Sequence, residues 1–410
     1  MMTVNDFLKK NKIARFLRGL DSTPLLLCWA TAVFYAFFCY YLGKSPTGHS
    51  GYYTYTLQAL AWRNGQVSLG RDYPWLELAV FNGDWYVSFP PVPSVPLYFL
   101  TFIFGFSTPD NLLVKLYVLI GCLSVYHLLR KAGYDKPAAA AFALLCSFAS
   151  CLLTLTTDGA VWYQAQTLAF CLTCGALCAM WRKRPTLSLL LYALAVGCRP
   201  FNALYGLLLF ALYADQCSQA GRTLRSSILR LLPGLALGFC VACAYGWYNY
   251  IRFGNIFEFG HNYLPEFSTQ GGIQFSLSHI PKNIKNFFFR MPFSLEEGGW
   301  TLQRFGFCFL IANPVLLMLL IWIISDLIHK RFTWLKGLIL GLFLLHLFLL
   351  LMHRTFGGLQ FGARYTCDLL PYAALYLALP GRRRSVHGGD IAALLFAMIF
   401  SIFGAASILL

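Results

Sequence analysis

The 410-residue chain is 58% apolar and only 12% charged, with a formal net charge of +16 and a mean hydropathy of +0.60. A soluble domain carries about 25% charged residues, so too little charge remains here to coat a water-facing surface, and the hydrophobicity is too high for a disordered chain. Uncharged stretches of about 20 residues recur, which marks a polytopic helical membrane protein and excludes an outer-membrane barrel, whose strands alternate.

On such a chain the placement of Lys and Arg matters more than their total, because they gather in cytoplasmic loops; no nucleic-acid partner is expected. The fourteen cysteines lie mostly inside apolar runs, where Cys acts as a small hydrophobe. Cys171 and Cys174 form a C-x-x-C without the polar setting or second pair of a zinc or redox site.

The N-terminus carries Lys9, Lys10, Lys12, Arg15 and Arg18, then an apolar run near 25–42. The run is too long for a signal-peptide core and no small-residue cleavage site follows, so it reads as an uncleaved first helix with a cytoplasmic N-terminus. Further runs fall near 111–129, 137–156, 160–181, 186–198, 201–214, 231–249, 306–328, 335–352, 368–380 and 391–410. The expectation is one all-α integral membrane domain over 1–410 with about eleven transmembrane helices. The two short runs around Arg199–Pro200 form either two tilted helices or one hairpin dipping to a polar turn. The stretch 91–107 is apolar but opens on Pro90 and Pro91 and carries Pro93 and Pro96, which break helix interiors; it reads as a surface or re-entrant element.

Charge tests this count. Eleven spans place Arg130, Lys131 and Lys136, then Arg182–Arg184, then Arg222, Arg225 and Arg230, then Lys330, Arg331 and Lys336, then Arg382–Arg384 on the side of the N-terminus. Counting 91–107 as a span inverts every cluster after it, against the positive-inside rule. Two large segments then lie outside, 43–110 and 250–305. In the first, Tyr52–Trp62 reads as a surface-lying amphipathic helix, and Ala79–Phe81 and Trp85–Val87 as strands around an Asn82-Gly83 turn. No internal repeat of the kind that builds many transporters is visible.

Chemistry is sought among the polar residues at the outer boundary. Acids are scarce there: Asp72, Glu77, Asp84 and Asp158, then Glu258, Glu266, Glu296 and Glu297. Asp158 opens a span in Thr157-Asp158-Gly159-Ala160-Val161-Trp162-Tyr163-Gln164-Ala165-Gln166, where a carboxylate followed by Trp162 and Gln166 suits a hydroxylated substrate; the alternative is a helix N-cap. Outer arginines run against the charge bias. Arg199, Arg252, Arg354 and Arg364 are candidate phosphate ligands through their forked donors, the alternatives being snorkelling or pairing with a carboxylate such as Asp368. His261 and His353 are lesser candidates, and Tyr52, Trp75, Trp85 and Trp162 could stack on a sugar face.

At these residues the chain resembles the GT-C glycosyltransferases, membrane enzymes that take a sugar from a polyprenyl-phosphate carrier on the outer face. The resemblance lies in the Pro-rich end of the first outer loop (Phe89-Pro90-Pro91-Val92-Pro93), the Arg199-Pro200 break, the Asn249-Tyr250-Ile251-Arg252-Phe253-Gly254 string with Gly260, and Gly362-Ala363-Arg364-Tyr365 with Pro371. Many members place an Asp just after the first helix; here Gly48-His49-Ser50-Gly51-Tyr52-Tyr53 holds no carboxylate. The polar and acidic residues mapped from related bacterial sequences are His49, Glu77 and Asp158.

The resemblance implies inverting transfer from a polyprenyl-phosphate sugar to an acceptor hydroxyl of a glycan, lipid or protein at the outer face of a bacterial plasma membrane. Asp158, Glu77 and His49 are its catalytic candidates, Arg364, Arg199, Arg252, Arg354 and Tyr365 its donor-phosphate set, and Trp162, Gln166, Tyr52 and His261 its substrate contacts. No metal set is evident in the scattered acids and no cofactor is expected, although a divalent ion of the kind that holds phosphate in some relatives stays open. Two further readings stand beside it: a transporter or flippase of a lipid-linked or anionic solute, and a catalytically altered partner protein. Within the expected spans the charges that a transport pathway would need are limited to Lys115 and Asp326.

Overall fold

A computed structural model of the protein describes residues 21–268, 273–296 and 299–409. The basic N-terminal cluster from Lys9 to Arg18, and Glu297, lie outside them. Helices dominate: α1 (Thr23–Tyr41), α2 (Thr54–Arg63), α3 (Ser94–Phe104), α4 (Asp110–Lys131), α5 (Lys136–Leu145), α6 (Val161–Trp181), α7 (Pro185–Val196), α8 (Tyr205–Gln219), α9 (Leu224–Phe253), α10 (Pro314–Ile328), α11 (Trp334–Leu351), α12 (Leu370–Ala378) and α13 (Gly388–Leu409). Among the described residues five of these, α1, α4, α9, α11 and α13, are long and apolar enough to cross a membrane.

Helix covers every apolar run expected from the sequence, but several runs arrive in pieces too short to cross alone. The run 137–156 breaks after α5 because Ser147 and Ser150 turn their hydroxyls back onto the carbonyls of Ala143 (2.6 Å) and Ser147 (2.5 Å), competing with the helical ladder. The run 306–328 breaks at Asn313–Pro314, where proline removes a donor. The two breaks mend each other: Asn313 Oδ1 accepts from Cys151 N at 3.0 Å, while its Nδ2 lies 2.9 Å from Phe309 O and 3.0 Å from Thr366 Oγ1. The runs around Arg199–Pro200 are two helices, α7 and α8, joined by a 3-10 turn over Pro200–Leu204.

Helix α6 is the axis of the core. It packs against α4 and α7, and α7 in turn against α9. The α4–α6 approach depends on Gly121, where an added Cβ would stand 2.5 Å from the Phe170 ring.

The first large segment folds back over one end of this bundle. Its helix α2 is almost wholly buried, with Thr54 through Ala59 all covered, rather than lying on a surface. The reason is its polar contacts: Gln58 donates to Tyr248 OH of α9 at 2.7 Å and accepts from Ser94 Oγ of α3 at 2.6 Å. Strands β1 (Leu78–Phe81) and β2 (Asp84–Val87) pair antiparallel with Leu78 opposite Val87. Asn82 and Gly83 between them both have positive φ, 51° and 83°, as a two-residue type I′ turn requires. Helix α3, at 11 residues, spans roughly 16 Å at ~1.5 Å per residue, about half a bilayer core. A second hairpin, β3 (Phe293–Glu296) and β4 (Gly299–Leu302), lies in the 250–305 segment.

The two ends of the bundle differ in charge. At one end Arg130 and Lys136 pair with Asp21 at 3.6 and 3.5 Å, and Asp135 N bonds to Arg384 O at 3.0 Å. Nearby, the fully buried Asp326 of α10 accepts from Lys336 Nζ of α11 at 2.8 Å, from Tyr376 OH of α12 at 2.7 Å and from Arg382. Removing one partner of a buried pair leaves an uncompensated charge and costs about 3–5 kcal/mol. Asp326→Ala and Lys336→Met should each lower the thermal midpoint of the detergent-solubilised protein sharply. The double variant Asp326→Leu/Lys336→Met should recover part of the loss, measured by intrinsic fluorescence on heating.

Candidate active site

The residues singled out in the sequence gather mainly at the opposite end. Asp158 lies in the turn before α6. It is not the N-cap: that position is Ala160, and no side-chain cap bond is made. Asp158 Oδ1 is shielded from water and has no hydrogen-bond partner among the described residues. Val161 N bonds to Tyr52 O at 3.2 Å, which ties the first large segment to the head of α6. Tyr52 and Trp162 pack ring against ring, with centroids 5.0 Å apart. Trp162 Nε1 donates to Glu77 Oε2 at 3.0 Å. Glu77 keeps an exposed edge, yet burial of its carboxyl by the packed segment raises its pKa, outweighing the Trp162 hydrogen bond and the Arg364 charge that lower it.

Arg364 stands on a 3-10 turn, Arg364–Leu369, that follows Gly362. Gly362 has φ +66°, and an added Cβ would fall 2.2 Å from Ala312 Cβ, so glycine is required both for conformation and for room. The turn is held by Gln360 Oε1, which accepts from Arg364 N at 2.9 Å, and by Gln166 Nε2, which donates to Arg364 O at 3.1 Å. The guanidinium is framed by the rings of Tyr365 (5.0 Å), Trp162 (5.8 Å) and Tyr163 (5.8 Å). It is buried, with 7% of the residue exposed. Its one side-chain hydrogen bond among the described residues is a long one from Nη1 to Gln166 Oε1, 3.4 Å, and Nε has no partner.

Arg199 is differently placed. Its Nε and Nη2 both reach Asp368 Oδ2, at 2.9 and 2.8 Å, and Tyr365 lies between the two guanidinium groups, 5.3 Å from that of Arg199. Arg252 serves the hairpin: Nη1 donates to Val87 O at 2.8 Å, Nη2 to Asn249 Oδ1 at 2.9 Å and Nε to Tyr248 O at 3.3 Å. Each guanidinium nitrogen makes one bond to protein, so Arg252 anchors the hairpin to the end of α9. Arg354 donates to Glu266 O at 3.3 Å and stacks on Phe267 at 5.5 Å, which ties the second large segment to the end of α11.

His261 lies against Phe89 and Phe267 and beside Ser88 O at 3.3 Å; burial lowers its pKa. Burial likewise holds His353 at about 4, helped by the nearby Arg199 charge. Both are neutral near pH 7 and act as polar contacts rather than cations. His49 is exposed and packs edge-on to Tyr53 and Phe106.

One acid at this end escaped the sequence reading. Asp110 stands at the head of α4, fully buried, and its Oδ1 accepts from Ser50 N at 2.8 Å. An acid after a proline at a helix start looks like a routine first-turn residue, and only the fold brings it against the acid-free stretch Gly48–Tyr53. Among the described residues no three His, Cys, Asp or Glu side chains converge as a metal-ligand set.

Compared with solved structures, the chain is similar to an oligosaccharyltransferase of Archaeoglobus fulgidus in its apo form, with 15% identity and a TM-score of 0.47, covering 88% of this chain and 52% of that one. It is similar to the same extent to the archaeal oligosaccharyltransferase AglB from Archaeoglobus fulgidus in complex with an inhibitory peptide and a dolichol-phosphate, at 14% identity and a TM-score of 0.47, covering 88% of this chain and 52% of that one. The chain thus spans about half the length of the solved structures it matches. No protein-family model and no curated protein matches it.

The role of Arg252 is open to a direct check. Arg252→Leu strands the Val87 carbonyl and Asn249, at about 1–3 kcal/mol for each buried group left unpaired. The variant should melt several degrees below the parent and be cut by protease within 79–88, where the parent resists.

Proposed function

We propose that the protein transfers a glycosyl group, with inversion, from a polyprenyl-phosphate-linked sugar to an acceptor hydroxyl at the outer face of a bacterial plasma membrane. The observation that carries this reading is Arg364, a guanidinium buried among aromatic rings, without a carboxylate within ion-pair distance among the described residues and with Nε unpartnered. A buried cation without a counter-charge is costly, and a lipid phosphate arriving at the bilayer surface would supply one. The basic clusters gather at the other end of the bundle, which the positive-inside rule assigns to the cytoplasm together with the N-terminus; Arg364 then faces outward.

In this reading the donor phosphate lies against Arg364 and Tyr365, with the sugar along Tyr52 and Trp162 and within reach of Gln166. Arg199 adds field to the site while remaining paired with Asp368, and Arg354 and His261 hold the rim. The acceptor, a glycan, lipid or protein hydroxyl, enters beside Asp158 and Glu77, with His49 at the margin. A carboxylate takes the hydroxyl proton as the oxygen attacks the anomeric carbon from the face opposite the phosphate. The bond from carbon to phosphate oxygen breaks, the lipid phosphate leaves with the electron pair, and Arg364 stabilises the charge that grows on it.

Purified protein in lipid nanodiscs should move label from polyprenyl-phosphate sugars to acceptors in a membrane extract. Arg364→Ala should lower kcat by about 100-fold or more, the scale of losing one preorganised charge-stabilising donor, and Asp158→Asn by a similar factor. Lipid movement across the bilayer without transfer, or full activity in both variants, would reject the proposal.

A further inference from the structure

We propose that Asp110 is a catalytic carboxylate of this reaction, standing beside the stretch Gly48–Tyr53, which provides none. The inference rests on the glycosyl-transfer reading and deepens it. The segment Gly48–Tyr53 contains no acid, yet it is latched to one. Ser50 N donates to Asp110 Oδ1 at 2.8 Å, and Asn111 N donates to Gly48 O at 3.2 Å. On the other side of Asp110 lies the Asp158 turn. Gly159 N donates to Asn111 Oδ1 at 2.6 Å. An added Cβ at Gly159 would stand 2.4 Å from Asp110 Oδ1 and 2.7 Å from the Asp110 backbone carbon, so only glycine lets the turn approach this closely.

Three separate elements are thereby drawn together, and they bring two carboxyl groups into one place. Each keeps an oxygen that is closed to water and has no hydrogen-bond partner among the described residues: Oδ2 of Asp110 and Oδ1 of Asp158. Such an atom in a native interior asks for an explanation. A latch to Ser50 needs only one acceptor oxygen, which Asn or Ser would supply without burying a charge. A carboxylate with its second oxygen left free is instead placed for a donor that arrives, and the acceptor hydroxyl is the donor that the reaction brings. Glu77 also has one oxygen engaged, by Trp162, but it is an exposed residue, so its free oxygen is not held apart from water in the same way.

Lys115, 5% exposed and donating to Asn111 O at 2.7 Å, is a cation within electrostatic reach of both acids. His49 on the first segment and Tyr117 on α4 are within electrostatic reach of Asp110, Tyr163 on α6 is within reach of Asp158, and Cys39 and Lys44 are within reach of Lys115.

The step balances as follows. The acceptor O–H donates to Asp110 Oδ2, while Asp158, the more accessible of the two acids, orients the same hydroxyl. The new carbon–oxygen bond forms as the bond to phosphate breaks. The proton passes to Asp110 and the electron pair leaves with the lipid phosphate. Release of the product lets Asp110 return its proton to water.

Asp110→Asn in the full chain tests this, because Asn keeps an oxygen for Ser50 N. With radiolabelled polyprenyl-phosphate pentoses and hexoses as donors, kcat should fall by about 100-fold or more, the usual scale of losing a general base, with donor KM and thermal midpoint unchanged. Azide, a nucleophile that carries no proton to remove, should restore turnover in Asp110→Asn as glycosyl azide plus free lipid phosphate, and should not restore it in Arg364→Ala. Near-normal transfer by Asp110→Asn, or a loss that azide leaves in place, overturns the role of Asp110 while leaving glycosyl transfer intact. A parent protein that releases no sugar from any of these donors overturns the transfer reading, and this inference with it.

Discussion

The structure turns on a difference in how buried charge is compensated at its two ends. At the basic end Asp326 collects Lys336, Tyr376 and Arg382, so that three helices share one carboxylate whose charge is fully compensated. At the other end Arg199 is matched by Asp368, and each nitrogen of Arg252 has a protein acceptor in Val87 O, Tyr248 O or Asn249 Oδ1. Arg364 has neither kind of partner in full. Burying a guanidinium this way opposes folding, so the surrounding fold must over-determine its position. Gln360 and Gln166 do so by holding its backbone from two sides, and Gly362 does so by letting the turn press against Ala312.

That turn is held in place by helices that fail to be continuous. A broken helix in a lipid-facing protein exposes backbone groups that find no water. Here the break before Leu152 and the break at Asn313 face each other, and a single Asn313 side chain serves both while also reaching Thr366, two residues from Arg364. The serines and the proline that interrupt the apolar runs are therefore part of what positions the guanidinium.

The apolar runs, the Asn-Gly hairpin and the polar turn at Arg199–Pro200 were legible because each depends on local chemistry: periodicity, positive-φ residues and proline. The breaks inside runs 137–156 and 306–328 were not, since hydropathy does not register a hydroxyl turning onto its own backbone. Helix α2 misled for a related reason. Its Tyr, Leu and Trp pattern reads as one greasy face, but Gln58 bonds in two directions and the helix is buried from Thr54 through Ala59. Asp158, Arg364, Tyr365, Trp162 and Gln166 drew notice because they stand in unusual strings near span ends, and the fold brings them to one end of the bundle. Asp110 escaped notice because its contact is with Ser50, 60 positions away in sequence, and the tie from Arg252 to Val87 O was not legible because a backbone carbonyl 165 positions away leaves no mark in a motif.

The placement of the aromatic rings completes the electrostatic argument. Trp162 presents its ring toward Arg364 and its Nε1 to Glu77, and Tyr365 stands between Arg364 and the neutralised Arg199. Rings shed water without supplying a counter-charge, and a guanidinium on a ring face keeps its planar fork free for oxygen. His261 and His353 are pushed toward the neutral form, so they add no second cation near neutral pH. One guanidinium short of a partner suits a phosphodiester, which carries one negative charge before its glycosyl bond breaks and gains more as that bond opens. An interaction that strengthens along that path is what lowers a barrier rather than merely tightening ground-state binding, and in the proposed reaction it is Arg364 that experiences the growing charge.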